Sequence, residues 1–184
     1  MTDVSGDRDF GEKGLQKAYD RLSGELDTDR NDDAMVTLAE VLHWCYSLEE
    51  YHVDRLGTTK DLSEGDARQE WRRVHWRGDD GETHAALTWV RNTSTHELVN
   101  VAQPLTIPGQ VTTRHTPGRG PRSATQITVG RGGQLLVVWK PRADLPPPKR
   151  HAHDRDSFYD RLIAGREVRQ PLQVAIGFLR NLPA

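Results

Sequence analysis

Residues 35–57 read MVTLAEVLHWCYSLEEYHVDRLG. Met35, Leu38, Leu42, Cys45, Leu48 or Glu49, His52 or Val53, and Leu56 recur at steps of three and four. That period places them on one face of an α-helix of about six turns. Asp32 or Asp33 precedes the run as an N-cap able to accept from free amides. Gly57 follows as a natural stop. A long one-faced helix must be covered by other elements, and the flanking sequence supplies helices.

Upstream, Phe10 to Leu26 carries Leu15, Ala18, Tyr19 and Leu22 on one face, after polar residues 1–9 that read as frayed. Downstream, Asp66 to Trp76 predicts a short helix with Ala67, Glu70, Trp71 and Val74. Arg77 to Gly81 reads as a turn. A further helix from about Glu82 to Ala102 then holds Ala85, Ala86, Trp89, Val90, Leu98, Val99 and Val101. Trp44, Trp71, Trp76 and Trp89 are candidate suppliers of core area.

The character changes at Pro104, where Pro, Gly, Thr and Arg take over to Arg122. Thr125 to Val129 alternates polar and apolar residues. Gly130-Arg131-Gly132-Gly133 reads as a turn, and Leu135 to Trp139 as a second strand, which predicts a β-hairpin. A hairpin of two strands needs support, from the helices or from a third strand such as Leu105 to Ile107. Pro146-Pro147-Pro148 is a stiff spacer. Asp156 to Ala164 and a last helix opening at Pro171, with Leu172, Ala175, Ile176 and Leu179 in its stripe, end the chain. The expected fold is mainly α: a helical bundle with a β-hairpin insertion before a C-terminal helix. The expected regions are 1–103, acidic and helical; 104–150, basic with the hairpin and spacer; and 151–184, C-terminal helices packing on the bundle, within one domain overall.

Charge follows the same boundaries. Residues 1–103 hold 12 basic and 22 acidic side chains, whereas residues 104–155 hold 9 basic and 2 acidic. The basic segment offers Arg114, Arg119, Arg122 and Arg131 as candidate nucleic-acid contacts, or it neutralises part of the acidic region. No stretch approaches 18 consecutive apolar residues, which excludes a transmembrane helix. The N-terminus lacks the basic and apolar regions of a secretory signal. Cys45 is the single cysteine, so neither a disulfide framework nor a cysteine zinc site is expected within one chain. Cytoplasm is the default compartment.

Within the fourth helical segment, Arg91-Asn92-Thr93-Ser94-Thr95-His96 combines a permanent cation, a carboxamide and an imidazole. Such a set can hold a phosphate and move a proton near neutral pH. Arg68/His75 and Arg77/His84 have comparable spacing, but only Arg91 is followed directly by Asn and lies well inside a helical pattern. Asn92 and His96 share a helix face, whereas Arg91 and His96 stand about 140° apart. Arg91 must therefore curve toward His96, or a second subunit must complete the cleft. RNA brings its own nucleophile, the 2′-hydroxyl. Cleavage then needs a base and an acid, for which His96 is the candidate, and positive charge on the phosphorane-like transition state, for which Arg91 is the candidate. Asn92 can orient the phosphate or the imidazole. This chemistry requires no metal and no cofactor.

The Arg, polar residue and spaced His of Arg91, Asn92 and His96 resemble the active-site signature of HEPN-domain ribonucleases. The resemblance covers roughly residues 10–103. It implies an all-helical bundle, commonly a homodimer that joins two motifs in one cleft. It also implies metal-independent endoribonuclease activity in toxin–antitoxin, phage-defence or RNA-processing systems, with an antitoxin as a possible protein partner. Some members of that family are inactive RNA- or protein-binding modules, and this is the alternative function. The residues also admit a bland reading: Arg91 paired with Glu97 or Asp80 on a solvated face, and His96 as a core histidine. Other constellations carry less. His43 and Cys45 read as core or near-core, Glu49, Glu50 and Asp54 as a solvated acidic face, and His151 and His153 as a basic loop. Gly130 to Gly133 lacks the pattern of a phosphate loop.

Overall fold

The computed structural model describes residues 4–28, 30–97, 101–106, 111–115, 125–129, 135–146 and 153–183. The chain divides into two compact units, one of residues 1–103 with 137–184 and one of residues 104–136. The larger unit is built from α1 (Val4–Asp27), α2 (Asn31–Lys60), α3 (Glu64–His75), α4 (Gly78–Glu97), α5 (His153–Leu162) and α6 (Arg169–Arg180). Four strands are described, β1 (Ala102–Thr106), β2 (Val111–His115), β3 (Thr125–Val129) and β4 (Leu135–Trp139), with a 3-10 turn at Arg142–Asp144. The chain is thus mainly α with a small antiparallel hairpin ahead of the C-terminal helices. Among the described residues no helix is long and apolar enough to cross a membrane.

The apolar period found in the sequence is the buried face. Leu15, Ala18 and Leu22 of α1 meet Leu38, Val41, Leu42 and Cys45 of α2 in one core, joined by Trp89 and Val90 of α4 and by Leu172, Ala175, Ile176 and Leu179 of α6. Trp71, Trp89 and Trp139 are buried, whereas Trp44 and Trp76 are half-buried. Tyr159 packs edge-on to Trp89 with ring centroids 5.1 Å apart, and its hydroxyl donates to the Lys140 carbonyl at 2.6 Å.

Several boundaries differ from the sequence reading, each for a physical reason. Helix α1 begins at Val4 rather than Phe10. Its first turns are polar, but Arg8–Glu12 at 2.6 Å and Asp9–Lys13 at 2.5 Å pair one turn apart. Gly57 does not end α2, which continues to Lys60 and stops at Asp61 in the left-handed region, φ 52°. Gly57 serves a close approach instead: a Cβ there would stand 3.3 Å from Cβ of Ala67. Gly81 likewise lies within the first turns of α4, where a Cβ would stand 2.0 Å from the His75 carbonyl oxygen. The segment expected as a turn is therefore helical from Gly78. Val101 and Ala102, expected as helix, lie outside α4, and Ala102 opens β1.

The strand pairing also departs from the expected β3–β4 hairpin. β2 pairs with β3 in antiparallel register, Val111 opposite Val129 and His115 opposite Thr125, while β1 neighbours β4. The cause lies in β4. Val137, Val138 and Trp139 are buried. One edge is taken by residues 165–168, through Trp139 N–H to the Arg166 carbonyl, Gly165 N–H to Trp139 and Val168 N–H to Val137, each at 3.0 Å. On the other side Lys140 N–H donates to the Val101 carbonyl at 3.0 Å. With both edges of β4 engaged, β3 closes on β2.

Candidate functional site

Helix α4 presents His84, Thr88 and Arg91 at steps of four and three, one stripe of the helix. The stripe faces α2, where Glu49 and Tyr46 stand one turn apart. At its buried end, His84 Nε2 lies 3.3 Å from Oε2 of Glu49, with the two residues 0% and 2% exposed. Thr88 Oγ1 donates to the same carboxylate oxygen at 2.9 Å. The His84 ring packs against Phe178 of α6, centroids 5.3 Å apart. The imidazole is at ion-pair distance from Glu49 without the alignment of a hydrogen bond, and both ring nitrogens lack hydrogen-bond partners among the described residues. Burial pushes the Glu49 carboxyl up. The approach and charge of His84, the Thr88 hydroxyl and the charge of Arg72 outweigh it and hold the group below the ordinary carboxylate value.

At the surface end of the stripe, the Arg91 guanidinium lies 4.3 Å over the Tyr46 ring. Its Nη1 donates to Oδ1 of Asn92 at 3.0 Å. Burial and then Glu50 hold the Tyr46 phenol above its ordinary value, so the ring meets Arg91 uncharged. Arg91 and Asn92 are half-buried. Among the described residues Arg91 has no ion-pair partner: Asp80 does not take it, and the Glu97 side chain lies outside the described residues. The guanidinium is thus held between Tyr46 and Asn92, and Asn92 shares a helix face with position 96. The backbone of α4 is helical through position 96, but the His96 side chain lies outside the described residues. So do the side chain of Arg114, on β2, and the whole of Arg119, Arg122, Arg131, His151 and the turn at 130–133.

Arg91 also lines an open groove of about 430 Å³ whose other walls include Phe10, Trp44, Tyr46, Glu50, Tyr51 and Asp54. The sequence reading missed this groove, although Trp44, Ser47 and Tyr51 mark one side of α2 at helical spacing. It also placed two side chains wrongly. His43 is exposed rather than near-core, because it falls about 200° from Cys45 around the helix. Glu49 is buried rather than part of a solvated acidic face, and Glu50 is held by Arg68 Nη2 at 2.7 Å. Only Asp54 of that trio is exposed. Cys45 is core, and burial followed by the Glu49 charge pushes its thiol up to about 12, so it is no nucleophile near neutral pH.

Of the two other Arg/His pairs of similar spacing, Arg68/His75 is committed to structure and Arg77/His84 is not brought together as one exposed site. Arg68 bonds Glu50 and Glu64, and His75 rests on Trp71 with centroids 4.2 Å apart. Arg77 is exposed while His84 is buried. His52 also stacks on Trp71, nearly parallel at 16° with centroids 5.6 Å apart. Burial, with the charges of Arg8, His75 and Arg55, pushes His52 down to about 4. An unfolded histidine takes its proton near 6.5. The native state is therefore at full stability from this group above 6.5 and loses it as the pH falls toward 4. The melting temperature measured from pH 7 to pH 4 is expected to fall, and His52→Phe, which keeps a ring on Trp71, is expected to flatten that fall. An unchanged profile in the variant would assign the acid sensitivity elsewhere.

Comparison of the chain with protein-family models, with curated proteins and with solved structures found no match.

Proposed function

We propose that the protein is a metal-independent endoribonuclease of the HEPN type, with Arg91, Asn92 and His96 as its catalytic set. The observation that carries this reading is the Arg91–Asn92 hydrogen bond at 3.0 Å. An ideal helix directs positions 91 and 96 about 140° apart. The bond couples the guanidinium to Asn92, the residue that shares a helix face with position 96, as a joint site requires. In this reading His96 takes the proton of a ribose 2′-hydroxyl. The oxygen attacks the adjacent phosphorus, the bond to the 5′-oxygen breaks, and His96 returns its proton to that leaving oxygen. Arg91 neutralises the non-bridging oxygens as charge builds on them.

The same reading makes the protein a toxin or phage-defence effector, acting on RNA as a cytoplasmic homodimer under the control of an antitoxin. Arg114, Arg119, Arg122 and Arg131 would supply backbone contacts to RNA, since residues 104–136 hold four arginines and no Asp or Glu. Incubation of the purified chain with a single-stranded RNA is expected to yield fragments ending in 2′,3′-cyclic phosphate and beginning with 5′-hydroxyl, with or without chelator. Intact RNA after prolonged incubation, or fragments with 5′-phosphate, would overturn the reading. A second reading, a non-catalytic binding module, is favoured by the groove beside Arg91, where aromatic rings stand next to carboxylates.

A further inference from the structure

The groove that Arg91 lines adjoins a second concavity of about 360 Å³, and Asp54 belongs to both. The first is walled by rings: Phe10, 68% exposed, and the half-buried Trp44, Tyr46 and Tyr51. The second is walled by Asp54, Asp61 and Glu64 together with Gly57, Thr58 and Leu62. Two cations stand along this track, and both are engaged. Arg68 bonds Glu50 and Glu64, and Arg91 lies on Tyr46 and donates to Asn92. Asp54 and Asp61 are exposed and have no ion-pair partner among the described residues.

We propose that this track binds an arginine-containing basic segment of a partner protein. This goes beyond the ribonuclease reading and shares Arg91 with it, as one wall of the groove. The argument is charge complementarity joined to ring chemistry. A guanidinium on Tyr46 at 4.3 Å already shows that a ring of this groove accepts a planar cation. Trp44 and Tyr51 line the same groove, and the Asp54 carboxylate beside them can receive the N–H edge of a guanidinium stacked there. Methylenes of the arginine side chain would cover Phe10. A second basic residue a few positions along would meet Asp61. In the second concavity a nucleic acid's phosphates would face Asp54, Asp61 and Glu64, so that end of the track favours a cationic partner over RNA.

The test is fluorescence anisotropy with the full chain and a labelled 12-residue peptide of alternating arginine and serine. Binding is expected to be at least tenfold weaker in Asp54→Lys and to change less than twofold in Asp32→Lys. Asp32 is exposed in the first turn of α2, where a lysine loses helix-dipole stabilisation, so the melt of each variant is measured beside its binding. A lysine–serine peptide is expected to bind at least threefold more weakly than the arginine peptide, because an ammonium lacks the planar stacking face. Equal losses in the two aspartate variants would mean diffuse attraction to an acidic protein and would overturn the proposal. So would a labelled 2′-O-methyl RNA 12-mer, resistant to cleavage, that binds more tightly than the peptide and is lost on Phe10→Ala.

Discussion

Arg91→Ala and His96→Ala are each expected to lower the rate of RNA cleavage by about a hundredfold to ten-thousandfold, the range for losing a proton-transfer group or a transition-state cation. Neither change should unfold the chain. Arg91→Ala forfeits one cation–π contact with Tyr46 and one hydrogen bond to Asn92, worth about 1 kcal/mol each. Arg91→Lys discriminates further. It restores the charge without the planar fork, so it is expected to recover only part of the rate. Asn92→Ala leaves both catalytic groups in place but frees the guanidinium. Its expected loss is smaller, about tenfold, and is seen in kcat more than in KM if Asn92 acts by orientation. Rates measured under single-turnover conditions check all four variants. Cleavage at the wild-type rate in His96→Ala would remove His96 from the mechanism and with it the resemblance that singled it out.

The placement of the Arg91 guanidinium could not be read from the chain. Spacing sets the directions of the Cα–Cβ bonds at 91, 92 and 96, but the long arm of Arg91 is placed by Tyr46, 45 residues earlier, and by its neighbour Asn92. What was legible was the local signal. The steps of three and four in α1, α2 and α6 are steric facts of the helix, and the residues they named are the core. Glycine was ambiguous: Gly57 and Gly81 carry the same sequence signal as a turn, yet they serve close contacts inside helices. Strand pairing was not local at all, since the edges of β4 are occupied by residues 165–168 and by Val101. The phase of α2 left Leu48 or Glu49 open for the inner face, and both are buried. A carboxylate reads as solvated until its partner is known, and the partner, His84, lies on a different helix.

That partnership predicts the largest effect on stability. His84→Ala removes the group opposing an ionised Glu49 that is 2% exposed, and breaking a buried pair from one side costs about 3–5 kcal/mol. For a chain of this size the melting temperature should drop by roughly 10 °C. Glu49→Gln is expected to cost less, because the carboxamide oxygen still accepts from Thr88 and no charge is left stranded. The double variant Glu49→Leu with His84→Leu replaces both polar groups by apolar ones. It is expected to lie near wild type, since desolvation of the pair offsets much of its attraction. The two single losses would then greatly exceed the double, a coupling that a double-mutant cycle in urea reads directly. The pH dependence carries the sign of the shift. Glu49 is held below its ordinary value of 4.5, so its contribution is complete above that value and is lost as the pH falls through the lower folded value. Glu49→Gln should remove that part of the acid sensitivity. A His84→Ala variant as stable as wild type would show that Glu49 is neutral in the core.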